Sequence, residues 1–272
     1  MESGKTLSIA IMSGKGGVGK TNLTLNLGFA LHQRKRSVLL MDCDLGLANL
    51  DVLLGITPEG NMQDVLLGSA SMKSIIHPIA PQGFDILPAA SGVPELAEMT
   101  DDMRQMLLDR LTPELGNYDY VLMDTGAGIS ETVQTMAAMA AVRIVVITPE
   151  PTSLTDGYAL IKVLLARHGV RDFLILLNQV ESEKEAQQAF SRLSAACKTF
   201  LQIEPAFLAA VRNDKTVIEA VLRQQALLAY KPECRAARDI QTLADAVQKI
   251  RHAMTQWMRE NPILRSLPKA EN

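Results

Sequence analysis

The chain alternates short, mostly apolar runs with longer stretches whose apolar residues recur every three or four positions. The runs at residues 7–12, 37–41, 84–88, 120–123, 143–147, 173–177 and 206–208 are of strand length and apolar on both faces, the pattern of strands covered on both sides. Between them, residues 22–34, 62–67, 94–115, 131–141, 154–167, 183–200, 214–224 and 235–260 read as helices. In the first, Leu23, Leu27, Ala30 and Leu31 form one apolar stripe; in the third, Met99, Met103, Met106, Leu107 and Leu111 do the same. This alternation predicts an α/β fold: a mostly parallel sheet flanked by helices on both faces, with right-handed crossovers. No repeat, low-complexity tract or linker interrupts it, so residues 1–272 are expected to form one domain, with 235–272 as a C-terminal helix and tail.

Ligands of such sheets bind beyond the carboxyl ends of the strands, and the polar residues with chemistry to offer cluster there. Residues 14–21 read Gly-Lys-Gly-Gly-Val-Gly-Lys-Thr, which fits the phosphate-binding loop Gly-x-x-x-x-Gly-Lys-[Ser/Thr]. A glycine-rich turn is the competing reading, but a strand before and a helix after are the context the motif requires. Glycines let successive N–H groups turn inward around phosphate oxygens, and the helix behind aims its positive end at the same place. Gly14, Gly16, Gly17, Val18, Gly19, Lys20, Thr21 and Asn22 are therefore candidate phosphate-binding residues. Lys20 would reach the β- and γ-phosphates and the Thr21 hydroxyl would hold Mg²⁺.

Asp42 and Asp44 follow the second strand, and Asp124 ends a run of four apolar residues. Paired carboxylates at a strand end are costly without a cation, and a hydrated Mg²⁺ supplies one; a solvated turn is the alternative. Cys43 between them reads as a packed small side chain.

Composition narrows the class. With 47% hydrophobic and 21% charged residues the chain is globular, and a net charge of −3 gives no overall signature for nucleic acid. Cys43, Cys197 and Cys234 are too widely spaced for a Cys-x-x-Cys site and suit a reducing compartment. No apolar stretch approaches the ~18 residues of a membrane span, and no signal peptide precedes the first strand, so a cytoplasmic location is expected. Near the C-terminus Val247, Ile250, Met254, Trp257 and Met258 share one helical face. Packing as a last helix is the favoured reading. Weak peripheral contact with the inner membrane through residues 257–267, strengthened by dimerisation, is the alternative.

Lys15 adds a second lysine to the loop, and residues 15–21 resemble the deviant phosphate loop of the MinD/ParA family of ATPases. The resemblance runs from Ser8 to about Lys231 and implies a three-layer P-loop NTPase that uses ATP and ADP with Mg²⁺. It implies that Lys15 crosses a homodimer interface to the partner's nucleotide, that Asp42 touches the Mg²⁺ hydration shell, and that Asp44 orients the attacking water. Lys15, Lys20 and Asp44 are thus the catalytic candidates, and Thr21, Asp42 and Asp124, the last as the Walker B carboxylate, the metal candidates. Asn178, at a strand end, and the loop Arg212, Asn213 and Asp214 are implied to hold adenine. Within the family, residues 42–55 and 150–162 look most like the flagellar-number regulators FlhG/FleN. That branch implies a flagellar GTPase (FlhF-like) or a flagellar transcription activator as partner. The rival readings are a MinD- or ParA-type ATPase of cell division or DNA and cargo positioning, and a nucleotide sensor that does not hydrolyse; Asp44 argues against the last.

Overall fold

The computed structural model describes residues 6–44, 50–60, 64–65, 68–89 and 101–265, with only the backbone over 101–107. Eight strands form one sheet: β1 (Leu7–Ser13), β2 (Val38–Cys43), β3 (His77–Ala80), β4 (Phe84–Leu87), β5 (Tyr120–Ala127), β6 (Val142–Ile147), β7 (Leu174–Val180) and β8 (Ala206–Arg212). Their order is β3-β4-β2-β5-β1-β6-β7-β8. Every neighbouring pair is parallel except β3–β4.

Because side chains alternate across a strand, the sheet sorts its own residues into two cores. Ala10, Met12, Leu39, Met41, Val121, Met123, Val145 and Ile147 face one way, under helices Asp101–Leu115, Glu131–Met139, Pro151–His168 and Glu183–Ala196. Leu7, Ile9, Ile11, Val38, Leu40, Leu122, Ile144 and Val146 face the other, under helices Lys20–Gln33, Lys215–Leu222 and Arg235–Ala253. Both layers close over the inner strands, β4, β2, β5, β1, β6 and β7, whose residues are almost all buried, as the unbroken apolar runs require.

Several boundaries differ from those read in the sequence, each for a physical reason. The edge strand β3 carries Pro78 and no apolar alternation, so it has no periodic signal; proline is tolerated there because an edge strand can spare an N–H. β8 runs on to Arg212, four residues past the expected end, and β5 runs on to Ala127. The helix expected over 235–260 is two helices, Arg235–Ala253 and Thr255–Glu260, meeting at Met254. The helix expected over 183–200 ends at Ala196 and gives way to a π-helical turn, Cys197–Leu201. Residues 214–224 hold only Lys215–Leu222, with a separate turn of helix at Leu227–Tyr230. Parts of the helices read over 62–67 and 94–115 lie outside the described residues.

The C-terminal segment packs on the domain. Val247 and Met258 are buried in one core and Leu264 in the other, so the chain wraps from one face of the sheet to the other. It crosses at the N-terminal edge of the strands, where the Ser8 hydroxyl donates to the Ile263 carbonyl (2.5 Å) and the Arg265 N–H to the Met139 carbonyl (2.8 Å). The Arg265 guanidinium covers the Trp257 ring at 4.8 Å. Through Arg265, then, the stretch read as a membrane element is engaged with the protein; Leu267 lies outside the described residues. Among those residues no helix is long and apolar enough to cross a membrane.

Candidate active site

The loop after β1 is shaped by glycines at positions where a side chain would clash or the backbone would be strained. A Cβ on Gly14 would lie 2.1 Å from the Asp156 carbonyl oxygen, and one on Gly19 would lie 2.5 Å from Asn178 Nδ2. Gly17 and Gly19 also have φ of 77° and 85°, a conformation that costs L-residues strain. Gly19 is the N-cap of helix Lys20–Gln33, and no side chain caps that end. The first-turn N–H groups therefore face the loop, as an anion site requires.

Two carboxylates meet this loop from neighbouring strands. Asp42 on β2 stands opposite Asp124 on β5 in the parallel register, one strand spacing apart, and they are 2% and 0% exposed. Asp124 sits inside its strand rather than at its end. Lys20 Nζ bonds its Oδ1 at 3.0 Å, and the Thr24 hydroxyl donates to the same oxygen at 3.2 Å. Burial pushes the Asp124 carboxyl above its ordinary value, and Lys20 and the Thr21 and Thr24 hydroxyls pull it back only in part. Its other oxygen, Oδ2, is buried with no hydrogen-bond partner of normal geometry. Such an acceptor fits a water of a hydrated cation. Among the described residues no three His, Cys, Asp or Glu side chains converge to hold a metal. A Mg²⁺ here would take its ligands from Thr21, phosphate and water, with Asp42 and Asp124 behind the water, which is how this hard, reluctantly dehydrated ion is usually held. Cys43 is fully enclosed; burial and then the Asp42 and Asp124 charges drive its thiol well above its ordinary value, so it is packing and not a nucleophile.

Asp42 also organises the chain behind it. Its Oδ1 accepts from the Asp44 N–H (3.0 Å) and its Oδ2 from the Leu50 N–H (3.3 Å). The Asp44 carboxylate lies over Gly126, about where it would touch a Cβ on that residue (3.5 Å), so the segment after β2 meets the end of β5.

The two lysines of the loop have different surroundings. Lys20 is buried. Lys15 is half-exposed, with Nζ 2.6 Å from Glu150 Oε2 and 3.1 Å from Thr152 Oγ1 at the start of helix Pro151–His168. The lysine expected to cross to a partner is thus held within its own subunit.

Residues expected to border the base line a cavity of about 190 Å³: Gly19, Asn22, Asn178, Asn213, Asp214 and Ile218 are among them. Asn178 is not at the end of β7 but inside it, and its Nδ2 donates to the Val18 carbonyl at 2.7 Å. Arg212 lines the same cavity, and its guanidinium forms a bidentate pair with Asp239 at 2.7 and 2.8 Å. Asp239, on helix Arg235–Ala253, is a partner that the sequence alone did not point to. Asp214 is occupied as a cap, accepting from the Thr216, Arg235 and Ala236 N–H groups. Burial raises its carboxyl, but these bonds outweigh it and hold it down at about 2. Gln179 was not anticipated; it sits in the left-handed region at a bulge and reaches the Gly17 carbonyl at 3.4 Å.

A family profile described as "AAA domain" matches residues 6–187. The chain is 36% identical over 239 residues to the antiactivator FleN of Pseudomonas aeruginosa, covering 88% of this chain and 85% of that one. The chain belongs to the MinD/ParA family of ATPases. A second MinD/ParA relative, the flagellum site-determining protein YlxH of Helicobacter pylori, is 33% identical over 245 residues, covering 89% and 81% of the two chains. The septum site-determining protein MinD of Pyrococcus horikoshii, solved with Mg-ADP, superposes with a TM-score of 0.69 at 29% identity, covering 90% and 97%. The MinD/ParA fold accounts for the sheet order and for the meeting of loop, Asp42 and Asp124 at one edge. As a member, this chain is a P-loop ATPase that binds ATP and ADP with Mg²⁺.

Proposed function

We propose that the protein is an ATP-driven monomer–dimer switch that regulates the number or placement of flagella. The observation that carries the switch is the division of labour between the two lysines. Lys20 is enclosed on Asp124, within its own site, whereas Lys15 stands at the rim on an exposed glutamate, from which a second subunit's phosphates can draw it. The flagellar assignment rests on the likeness to FleN and YlxH.

Bound Mg²⁺ supplies charge neutralisation for the phosphates. Thr21 would hold it directly, and Asp42 and Asp124 would hold it through its waters. Lys20 fixes the β- and γ-phosphates, the turned-in N–H groups of residues 14–19 cradle them, and Asn178, Asn213 and Asp214 border the base. On closure Lys15 leaves Glu150 and Thr152 for the partner's phosphates. Asp44, lying between Asp42 and Gly126, aligns the attacking water; phosphoryl transfer asks for positioning and charge stabilisation more than a strong base. Hydrolysis releases the contacts that hold the dimer. The partners we propose are a flagellar GTPase or a flagellar transcription activator.

Sedimentation velocity of the Asp44→Ala protein with Mg-ADP and with Mg-ATP tests the switch. A dimer that appears with ATP alone, and is lost when Lys15→Ala is added, is the expected result. A single species under both nucleotides overturns the proposal.

A further inference from the structure

We infer that Gln224 is a positioning residue that ties the phosphate end of the nucleotide site to its base end. Two helix C-termini meet at this residue. The short helix Leu50–Leu54 begins at Asp42, whose Oδ2 accepts from the Leu50 N–H. It ends in a left-handed Gly55 (φ 63°), with Gly55 N–H on the Val52 carbonyl and Ile56 N–H on that of Asp51. Helix Lys215–Leu222 begins at Asp214, and its Val217 and Ile218 line the base cavity. It ends in the same motif: Gln224 N–H bonds the Val221 carbonyl and Gln225 N–H that of Ala220. This hydrogen-bond pattern puts its next residue in the left-handed region and favours glycine there.

Gly55 meets that preference and Gln224 does not: its φ is 52°. What the glutamine adds over glycine is a side chain, and the side chain is used. Its Nε2 donates to the Val52 carbonyl at 2.9 Å, so that one carbonyl serves both helix ends. Gly55 leaves room for it, since a Cβ there would lie 3.0 Å from Gln224 Oε1. A strained backbone held in place by a specific side-chain bond is a reason to look for function at that position. The path is continuous: Asp42, the helix behind it, the Val52 carbonyl, Gln224, and the helix that walls the base. A change in what Asp42 holds is felt at Leu50 and passed to Ile218. The inference rests on the reading of Asp42 as the Mg²⁺-side carboxylate.

Hydrogen exchange read by mass spectrometry, with Mg-ADP and with Mg²⁺ and β,γ-imido-ATP, tests it at residues 50–56 and 215–222 separately. In the unaltered protein both segments should exchange more slowly with the triphosphate. In Gln224→Gly, which relieves the strain and so cannot fail by misfolding at this turn, the response should persist at 50–56. At 215–222 it should shrink about fivefold, the worth of one ordinary hydrogen bond. Gln224→Glu, with no donor, should behave likewise, and Gln224→Lys, which restores a donor of similar reach, should recover the response. ADP affinity should be unchanged throughout. A full response at 215–222 in Gln224→Gly overturns the coupling. No response at 50–56 in the unaltered protein overturns the reading of Asp42 beneath it.

Discussion

Replacing Lys20 with methionine should expose how the site tolerates a buried carboxylate. The ammonium and Asp124 Oδ1 are 3.0 Å apart, and the two residues are 7% and 0% exposed. Without the lysine an ionised Asp124 would be uncompensated in the interior, at a cost of about 3–5 kcal/mol. It can escape by taking up a proton. The cost is then that of holding the proton against solution: about 1.4 kcal/mol for each pH unit above the ordinary carboxyl value near 3.9. That amounts to about 4 kcal/mol at pH 7 and about 1.5 kcal/mol at pH 5. The sign follows from proton counting. The native variant holds one proton that the unfolded chain has released, so its stability falls as pH rises. Loss of Lys20 also relieves its own burial, but that contribution does not change between pH 5 and 7. Urea unfolding of both proteins without nucleotide, at the two pH values, isolates the part that matters. The gap between them should narrow by about 2.5 kcal/mol on going to pH 5, and adding Asp124→Asn should remove most of the pH dependence. A gap of the same size at both pH values would refute the argument that an ionised Asp124 is what Lys20 holds.

Other substitutions separate the parts of the site. Gly19→Ala forces a left-handed alanine whose Cβ meets Asn178; it should lose about 1–2 kcal/mol of stability and most nucleotide affinity, measured by thermal unfolding and calorimetry. Arg212→Ala breaks the half-exposed pair with Asp239 and should cost about 1 kcal/mol at most, leaving ATP affinity unchanged. Asp214→Asn weakens a carboxylate that serves the starts of two helices and should cost about 1 kcal/mol at pH 7. Because its folded carboxyl lies at about 2, below the ordinary value, that stability is present above pH 4 and drains away as pH falls towards 2. Unfolding curves at pH 7 and pH 3 should therefore bring variant and parent closer together.

What the sequence made legible follows from what each feature depends on. Strands buried on both faces are apolar throughout, and β1, β2, β5, β6 and β7 could be read directly; the loop of residues 14–21 could be read because its demands are on the backbone, where glycine leaves a mark. Features decided by distant partners could not. The end of β5 reads as a loop because Asp124 and Gly126 are poor strand formers, yet Thr125 pairs with Cys43 and Ala127 with Ser13. The turn of Arg212 depends on Asp239, and the resting place of Lys15 on Glu150; neither partner is near in sequence. The break at Met254 has no proline or glycine to announce it.

The strand order has a consequence for how the site comes into being during synthesis. β1, which carries the phosphate loop, hydrogen-bonds to β5 and β6 and to no strand made before them. The phosphate loop is therefore synthesised well before the strands that flank it. Asp124 arrives on the very strand that completes the central pair. Until β5 and β6 are made, the loop lacks both of its strand neighbours and the carboxylate that Lys20 meets.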